Sequence, residues 1–199
     1  MSGAPRIILA SQSPRRAQLL RMLGLDIETA PADIDETYLP GEEPGAHAER
    51  LAREKAAAMA GRYPEAIVIG SDTVVAIDGH VLGKPEDHED AIRMLMQLQG
   101  REHEVATGVA VHAGRLYSAV ERVAVRFRRF DEATAAAYAA TGEPLDKAGA
   151  YGIQGVGSTL VDGITGDYFA VMGLPVARTV ALLEEAGFRY DFRGLMPCR

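Results

Sequence analysis

The sequence has almost no cysteine and no grouped metal ligands. Its single cysteine, Cys198, can form no disulfide within the chain and no Cys-x-x-Cys knuckle. The five histidines show none of the paired spacings that are typical of zinc sites. A chain of this kind needs no oxidising compartment, so we expect a cytoplasmic protein.

Long apolar runs and an excess of positive charge are also missing. The first apolar run, residues 7–10, is far too short for a signal-peptide core or a membrane span, so we expect no association with a membrane. The formal net charge of −7 argues against a nucleic acid polymer as partner, because such binding depends mostly on cations that neutralise phosphates. A single nucleotide is not excluded, since it needs only a local cluster of cations.

Two common nucleotide-binding signatures are absent from the sequence. It contains no Gly-x-x-x-x-Gly-Lys-Ser/Thr segment, which argues against a P-loop kinase or ATPase. The glycine-rich residues 152–157 do not have the spacing of a Rossmann turn, and no predicted strand precedes them. Any nucleotide site must therefore be built in another way.

What is present is the pattern of an α/β protein. The 199 residues, 47% hydrophobic and 25% charged, suit one globular domain with a single core. Short apolar runs alternate with helical patterns along the chain. The predicted strands cover residues 6–10, 66–70 with an extension to 77, 103–112, 115–128 and 159–164. The predicted helices begin at Pro14, cover 46–62 and 87–99, and follow Asp131 and Pro175.

The first candidate site is the polar turn at residues 11–16, between a predicted strand and a predicted helix. A helix start presents unpaired backbone N–H groups and a partial positive charge, which favour an anion. Ser11, Ser13, Arg15 and Arg16 add side-chain donors, and arginine can bind phosphate through two hydrogen bonds. The alternative is a capped helix with two solvated arginines, and the residues alone favour neither interpretation.

The second candidate is Asp72, which follows the apolar run 66–70. An acid at the end of such a strand would lie at the carboxyl edge of the sheet, where α/β proteins bind ligands. There it could hold Mg²⁺ or orient a water molecule. The alternative is an aspartate that merely forms a turn, and many apolar strands end in this way.

Lysines form the third candidate group. Lys55 falls on the apolar side of its predicted helix, from which it either extends to solvent, the commoner outcome, or points into a polar cleft. Lys84 stands between Gly83 and Pro85, where it is either a ligand-binding residue or an ordinary exposed turn lysine. Lys147 belongs to the same group.

A fourth segment, Asp-Ile-Asp-Glu-Thr at residues 33–37, formally matches the Asp-x-Asp-x-Thr signature of haloacid-dehalogenase-type phosphatases. In that family the first aspartate, here Asp33, is a nucleophile that follows a buried strand. No strand is predicted before residue 33, and the segment after Asp167 lacks the second metal-binding aspartate. The match therefore indicates coincidence, although an acidic loop could still supply a metal ligand.

Taken together, several segments resemble the Maf-like family of nucleotide pyrophosphatases, over nearly the whole chain. Each is a weak signal alone, but their joint order and spacing are specific. The matching segments are Leu-Ala-Ser-Gln-Ser-Pro-Arg-Arg at 9–16, Arg-Glu-Lys-Ala at 53–56, Gly-Ser-Asp-Thr-Val-Val at 70–75, Gly-Lys-Pro at 83–85, Lys-Ala-Gly-Ala-Tyr-Gly-Ile-Gln-Gly at 147–155 and Gly-Leu-Pro at 173–175.

The resemblance implies an enzyme that hydrolyses a nucleoside triphosphate to the monophosphate and pyrophosphate, with a divalent cation, Mg²⁺ or Mn²⁺. The family's proton-accepting carboxylate falls on Asp72, and its supporting polar residues fall on Ser13, Glu36, Lys55 and Lys84. We expect Asp72 and Glu36 to hold the metal. The expected fold is a single α/β domain over residues 1–199, with a mixed, partly antiparallel sheet flanked by helices and two lobes around a cleft.

Specificity is also implied by the resemblance. The branch that acts on dTTP and UTP carries Arg, Thr and Gln at positions matched here by Arg16, Thr73 and Gln154, whereas the sister branch acting on 7-methyl-GTP differs around the Ser-Asp-Thr and Lys-Ala-Gly-Ala-Tyr segments. We therefore expect a house-cleaning enzyme for dTTP, UTP or modified pyrimidine nucleotides, and the resemblance suggests a homodimer. The side chain of Gln154 could pair with the N3–H and a carbonyl of uracil or thymine, or it could bond to loop backbone. Two other functions remain open, a non-catalytic nucleotide-binding regulator of cell division and the dehalogenase-type phosphatase.

Overall fold

The computed structural model describes residues 5–198 of the chain. Its helices are α1 (Pro14–Met22), α2 (Pro44–Ala60), α3 (His88–Leu98), α4 (Glu132–Ala139), α5 (Tyr168–Met172) and α6 (Val176–Glu185). Its strands are β1 (Ile7–Leu9), β2 (Ile27–Thr29), β3 (Ile67–Ile77), β4 (His80–Leu82), β5 (Glu102–Ala113), β6 (Arg115–Phe127), β7 (Val161–Thr165), β8 (Phe188–Tyr190) and β9 (Leu195–Pro197). Three short 3₁₀ turns cover Glu143–Asp146, Ala148–Ala150 and Val156–Leu160.

Seven of these strands form one mixed sheet in the order β2-β1-β3-β5-β6-β7, and β4 pairs with β3 beside this path. β1 runs parallel to both β2 and β3, whereas β4 is antiparallel to β3 and β7 is antiparallel to β6. The remaining strands, β8 and β9, form an antiparallel pair of their own. The predicted α/β class with a mixed, partly antiparallel sheet flanked by helices is confirmed.

The chain divides into two compact units. The first contains the chain up to Asp72, residues Thr107–Glu121 and the chain from Gly173 onward; the second contains Thr73–Ala106 and Arg122–Met172. The strands β3, β5 and β6 each contribute residues to both units. The single domain expected over residues 1–199 stays a prediction.

The core of the first unit lies between α2 and the sheet, and it depends on small residues. A Cβ atom added to Gly70 in β3 would lie 2.2 Å from the carbonyl oxygen of Ala52, and one added to Gly108 in β5 would lie 2.2 Å from that of Ala48. Only glycine therefore lets the helix backbone approach so closely. The cluster is completed by the buried residues Ile8, Ala10, Ala56, Met59, Val68 and Ala110.

In the second unit α3 packs against α4, and three buried aromatic rings fill the interior. The rings of His103, Phe127 and Tyr151 have centroids 4.8–5.4 Å apart and cross at steep angles, the edge-to-face arrangement that aromatic pairs favour. His103 Nε2 lies 2.9 Å from the hydroxyl oxygen of Tyr151. Burial lowers the pKa of His103 to about 4, so this ring is neutral at pH 7.

The predicted helix starts are confirmed by their capping contacts. The backbone N–H of Arg16 donates to Ser13 Oγ, and that of Thr134 donates to Asp131 Oδ1. These serine and aspartate side chains satisfy donors that the first helical turn leaves unpaired. None of the helices in the described part of the chain is long and apolar enough to cross a membrane.

Other elements were missed or misplaced. The sequence patterns did not predict β2, α5 or the β8–β9 pair, which are all short. The expectation that Asp72 ends its strand is wrong, because it is the sixth of the eleven residues of β3. The strand continues because Val74, Val75 and Ile77 favour extended backbone and its second half pairs with β4.

Candidate active site

Three charged side chains that are distant in sequence meet in the first unit. Lys55 Nζ lies 2.7 Å from Asp72 Oδ1 and 2.7 Å from Glu36 Oε1. Lys55 is 7% exposed and Asp72 is 8% exposed, whereas the Glu36 side chain is largely open to solvent. The alternative in which Lys55 extends to solvent is therefore excluded, and its ammonium joins a buried acid to an exposed one.

The close contact of α2 with β3 positions this ion pair. Lys55 lies between Ala52 and Ala56 along the helix, and these small residues bring the α2 backbone against Gly70, two residues before Asp72. The lysine stem is consequently buried, and its ammonium reaches the carboxylate carried by the strand. A bulkier side chain at Gly70 would push the helix away and lengthen the pair.

The loop that carries Glu36 is tied to α2 by Arg50. The guanidinium of Arg50 donates to both oxygens of Glu42, at 2.7 and 2.9 Å, and to the backbone carbonyl of Thr37 at 3.0 Å. These bonds hold the pKa of Glu42 at about 2, chiefly through the contact with Arg50. The loop is thus tied to α2 on the C-terminal side of Glu36, by a residue five positions before Lys55.

Tyr38, on the same loop, was not singled out in the sequence. Its ring stacks on that of His47, with centroids 3.5 Å apart and planes 8° from parallel. Its hydroxyl oxygen is buried and has no hydrogen-bond partner among the described residues. Burial first, and then the negative charges of Asp72 and Glu42, raise the pKa of Tyr38 to about 12. The hydroxyl is therefore protonated at neutral pH and lies within the electrostatic field of Asp72.

The polar turn before α1 is closed around the hydroxyl of Ser11. Ser11 Oγ accepts from the backbone N–H of Ser13 at 3.1 Å and from Arg16 Nη1 at 3.2 Å. Ser11 is buried, whereas Ser13, Arg15 and Arg16 are half-buried. The turn is thus preorganised rather than solvated, which favours the anion-binding interpretation over that of a capped helix with two solvated arginines.

The carbonyl of Gly173 connects this turn to the strand that carries Asp72. It accepts from Arg16 Nε at 2.8 Å, and it lies 2.9 Å from the hydroxyl oxygen of Ser71. In the sequence, Ser71 and Gly173 stand out only as parts of the segments that carry the family resemblance. Nothing in the local sequence shows this link, because it joins residues about 100 and 157 positions apart.

Electrostatics at Arg16 reflect both its burial and its neighbours. Burial is the main cause that lowers its pKa, and the positive charge of Arg15 adds to this effect. The negative charges of Asp72 and Glu36 act in the opposite direction. Arg16 therefore shares an electrostatic environment with both carboxylates, and its guanidinium keeps its charge at any ordinary pH.

The two predicted metal ligands, Asp72 and Glu36, do come together, since both contact the same ammonium. Carboxylate oxygens of this kind suit Mg²⁺, which proteins commonly hold through one or two acids together with substrate phosphates and water. Residues 5–198 contain no group of three or more His, Cys, Asp or Glu side chains that could hold a metal ion. The donor set therefore fits a metal that arrives with its substrate better than one held by protein alone.

The other predicted site residues belong to the second unit. Lys84 is exposed, next to Gly83, whose carbonyl accepts from the backbone N–H of Gly149 at 3.0 Å. Thr73 follows Asp72 in β3 and is half-buried. Gln154 is exposed, and within the described part of the chain its side chain makes no hydrogen bond. The alternative in which Gln154 bonds to loop backbone thus has no support.

The sequence of this chain matches a known protein family over most of its length. Residues 6–186 match the family described as Maf-like protein. The chain belongs to that family. The predicted resemblance is confirmed, and the matching segments at 9–16, 53–56, 70–75 and 173–175 contain Ser11, Lys55, Asp72 and Gly173 respectively.

Two relatives illustrate the similarity within the Maf-like family. The chain is 51% identical over 190 residues to the dTTP/UTP pyrophosphatase of Anaeromyxobacter dehalogenans (strain 2CP-C), a comparison that covers 93% of this chain and 96% of the relative. It is 48% identical over 182 residues to the dTTP/UTP pyrophosphatase of Koribacter versatilis (strain Ellin345), a comparison that covers 91% of this chain and 94% of the relative.

Among solved structures, a nucleoside-triphosphatase / dITP/XTP pyrophosphatase from Mycobacterium abscessus aligns with a TM-score of 0.42 and 18% identity, over 63% of this chain and 75% of that one.

The acidic segment at 33–37 shows no phosphatase-like arrangement. A strand does precede it, since β2 ends at Thr29, but β2 is exposed at its last two residues. Asp33 is exposed, and Asp35 is used to close a turn, accepting from the backbone N–H of Thr37 at 2.9 Å. The dehalogenase interpretation thus gains no support, and the segment's contribution to the site is Glu36.

Proposed function

We propose that this Maf-like protein hydrolyses dTTP and UTP, and modified pyrimidine nucleotides, to the monophosphate and pyrophosphate. The observation that carries the proposal is the buried Asp72–Lys55 pair, extended by Glu36, in a chain about half identical to relatives named dTTP/UTP pyrophosphatase. A buried acid fixed by a lysine and surrounded by further cations is the arrangement that water attack on a phosphate chain requires.

Asp72 is the proposed general base. Its Oδ1 is bonded to Lys55, which fixes the carboxylate and leaves Oδ2 to accept a proton from the attacking water. Because Asp72 is 8% exposed, bulk water competes little for this position. The water then attacks the α-phosphorus, and pyrophosphate leaves with the electron pair of the α–β bridging bond.

Several cations are proposed to neutralise the triphosphate. The known contacts of Lys55 use two of the three N–H donors of its ammonium, so one remains for a phosphate oxygen. Lys84 and the turn formed by Ser11, Ser13, Arg15 and Arg16 supply further donors. Each charge-assisted hydrogen bond contributes about 1.5–3 kcal/mol, so three or four bind a triphosphate firmly.

A divalent cation, Mg²⁺ or Mn²⁺, is proposed as cofactor, with Asp72 and Glu36 as its protein ligands. When bound, such an ion supplies charge stabilisation at the phosphate oxygens and lowers the pKa of bound water. Lys55 contacts both of these carboxylates, so it keeps them together and oriented before substrate arrives. The exposed Glu36 side chain can move to meet an ion, whereas the buried Asp72 side chain cannot.

Base selection is proposed to involve Gln154, with Arg16 and Thr73 as the other specificity residues. The amide of Gln154 offers one donor and one acceptor, which complement the N3–H and a carbonyl of uracil or thymine. Cytosine presents an unprotonated N3 and an amino group in the same positions. Support comes from the exposure of Gln154 and from its unused hydrogen-bonding groups within residues 5–198.

Two further parts of the proposal concern the protein in the cell. We propose a cytoplasmic location, supported by a chain that carries one cysteine, the exposed Cys198, and has no use for an oxidising compartment. We also propose a homodimer, supported by the family resemblance alone.

The decisive experiment is a substrate panel scored by product. The purified chain is incubated with dTTP, UTP, CTP, GTP and ATP, with Mg²⁺ or Mn²⁺, and pyrophosphate and inorganic phosphate are measured separately. Pyrophosphate and monophosphate from dTTP and UTP, in clear excess over CTP, is the expected result. Release of inorganic phosphate would favour a phosphatase, and binding of UTP without cleavage would favour the non-catalytic regulator; either result overturns the proposal.

A further inference from the structure

The carboxylate of Glu143 is bonded to the glycine-rich loop at residues 152–157. Glu143 Oε1 accepts from the Tyr138 hydroxyl at 2.9 Å and from the backbone N–H of Gly157 at 3.1 Å. Its Oε2 accepts from the backbone N–H of Val156 at 3.0 Å. One acidic side chain thus binds two consecutive backbone donors at the end of the loop.

Tyr138 binds the beginning of the same loop. While its hydroxyl donates to Glu143, it accepts from the backbone N–H of Gly152 at 3.0 Å. Tyr138 is 6% exposed and lies on α4, so its ring is fixed by the core of the second unit. Burial raises the pKa of Tyr138, which keeps the hydroxyl protonated and able to donate. Glu143 and Tyr138 together hold both ends of the loop.

The glycines of the loop are explained by this contact. A Cβ atom at Gly155 would lie 2.1 Å from Glu143 Oε2, and one at Gly157 would lie 2.3 Å from the Tyr138 hydroxyl oxygen. One at Gly152 would lie 3.0 Å from Glu143 Oε1. Glycine is required at these positions so that the carboxylate and the hydroxyl can approach the backbone.

Gln154 lies at the middle of this held segment. Its neighbour Ile153 is 8% exposed and anchors the backbone on one side, while the bonds of Glu143 anchor it on the other. The side chain of Gln154 itself is exposed and has no hydrogen-bond partner in residues 5–198. The loop is therefore a fixed backbone that presents one unused amide.

We propose that Glu143 is the positioning residue of Gln154, and that base discrimination depends on Glu143 although it contacts no substrate. The inference rests on the proposed function, in which Gln154 recognises uracil or thymine. A recognition amide gains specificity when its backbone is fixed before binding, because less conformational entropy is then lost. Tyr138 assists by holding Glu143 and the start of the loop.

The test is a double-mutant cycle on base discrimination. The ratio of kcat/KM for UTP to that for CTP is measured for wild type, Glu143→Ala, Gln154→Ala and the double variant. Circular dichroism shows whether Glu143→Ala folds. If it does not, Tyr138→Phe, which removes only the hydroxyl that holds Glu143, is the variant that tests the inference. Glu89→Gln is the matched control, because Glu89 is an exposed glutamate of the same unit.

We expect Glu143→Ala to lower this ratio about tenfold, the loss of roughly one hydrogen bond. In the Gln154→Ala background, the same change should leave the ratio unaltered, because Glu143 acts through Gln154. Tyr138→Phe should lower the ratio less, and Glu89→Gln should not change it. An unchanged ratio in Glu143→Ala and Tyr138→Phe, or an equal fall with and without Gln154, would overturn the inference.

Amide hydrogen exchange separates this inference from the proposed function, since it needs no cleavage. In Glu143→Ala, the backbone N–H groups of Val156 and Gly157 should exchange faster than in wild type. Unaltered exchange would refute the role of Glu143 even if UTP is a substrate. If wild type cleaved no pyrimidine triphosphate but exchange rose as expected, the proposed function would fail while the loop contact remained supported.

Discussion

The polar groups of the proposed site are held in place differently in the two units of the chain. In the first unit, opposite charges from separate elements meet, as Lys55 does with Asp72 and Glu36. In the second, a single carboxylate, Glu143, accepts from neutral backbone and hydroxyl donors. An ion pair fixes charged side chains, whereas backbone bonds fix a loop whose exposed side chain remains available. Under the proposed function, the ion pair of the first unit would serve the reaction and the loop of the second unit would present Gln154 to the base.

The largest effect should come from removing the charge of Asp72. Asp72→Asn preserves shape but cannot accept a proton from water, so turnover should fall by on the order of 10²–10⁴. Steady-state pyrophosphate release measures this fall, and a thermal melt shows whether the fold is intact. Asp162→Asn, at an exposed aspartate, is the control and should keep its activity. Full turnover in Asp72→Asn would exclude Asp72 as the base.

A smaller effect, on stability, is expected when the cation of the pair is removed. Lys55→Met leaves Asp72 buried without its partner, and the free energy of unfolding should fall by about 3 kcal/mol. The double variant Lys55→Met/Asp72→Leu removes both charges and should regain much of this stability without regaining activity. Urea denaturation measures each value.

In the second unit, Glu143→Ala should lower the free energy of unfolding by less than Lys55→Met does in the first. Glu143→Ala leaves only neutral donors without a partner, and an unpaired neutral donor costs less free energy than an unpaired buried charge. A loss of about 1 kcal/mol is therefore expected in the same denaturation series. If Lys55→Met and Glu143→Ala lowered the free energy of unfolding equally, the proposed difference in stability between the ion pair and the loop contact would be contradicted.

A pH-dependent effect of about 2 kcal/mol is expected from His103 in the second unit. Its pKa is about 4 in the fold and 6.5 ordinarily, so the unfolded chain binds the proton more readily. The stability that the neutral ring contributes is complete above about pH 6.5 and is lost as the pH falls towards 4. Between pH 7 and pH 5 the loss should reach about 2 kcal/mol.

His103→Gln keeps a neutral polar group at this position and should abolish this part of the pH dependence. Denaturation curves of wild type and variant at pH 5, 6 and 7 give the comparison, since all other titrating groups are shared. Parallel pH profiles for the two proteins would contradict the assignment to His103.

The elements that could be predicted from sequence are those with strong local signals. The helix that begins at Pro14 is capped by Ser13, and the helix that follows Asp131 is capped by Asp131 itself. Lys55 drew attention because a lysine on an apolar helix face needs an explanation, and Asp72 is its partner. Short strands such as β2 and β9, three residues each, have too few residues to show a period.

The contacts that were missed join segments that lie apart in the sequence. Arg16 meets Gly173 across 157 positions, and no local pattern encodes such a meeting. Glu143 and Tyr138 look like an ordinary turn acid and a helix tyrosine until the loop at 152–157 folds onto them. Tyr38 was overlooked because an exposed-looking loop gives no hint that its hydroxyl is buried.

The carbonyl of Gly173 has a consequence for synthesis on the ribosome. Arg16 leaves the exit tunnel early in translation, yet the carbonyl that accepts from its Nε becomes available only when residue 173 has emerged. The first unit is also discontinuous, so its last segment is made after the whole second unit. The contacts of the first unit are therefore completed only near the end of translation.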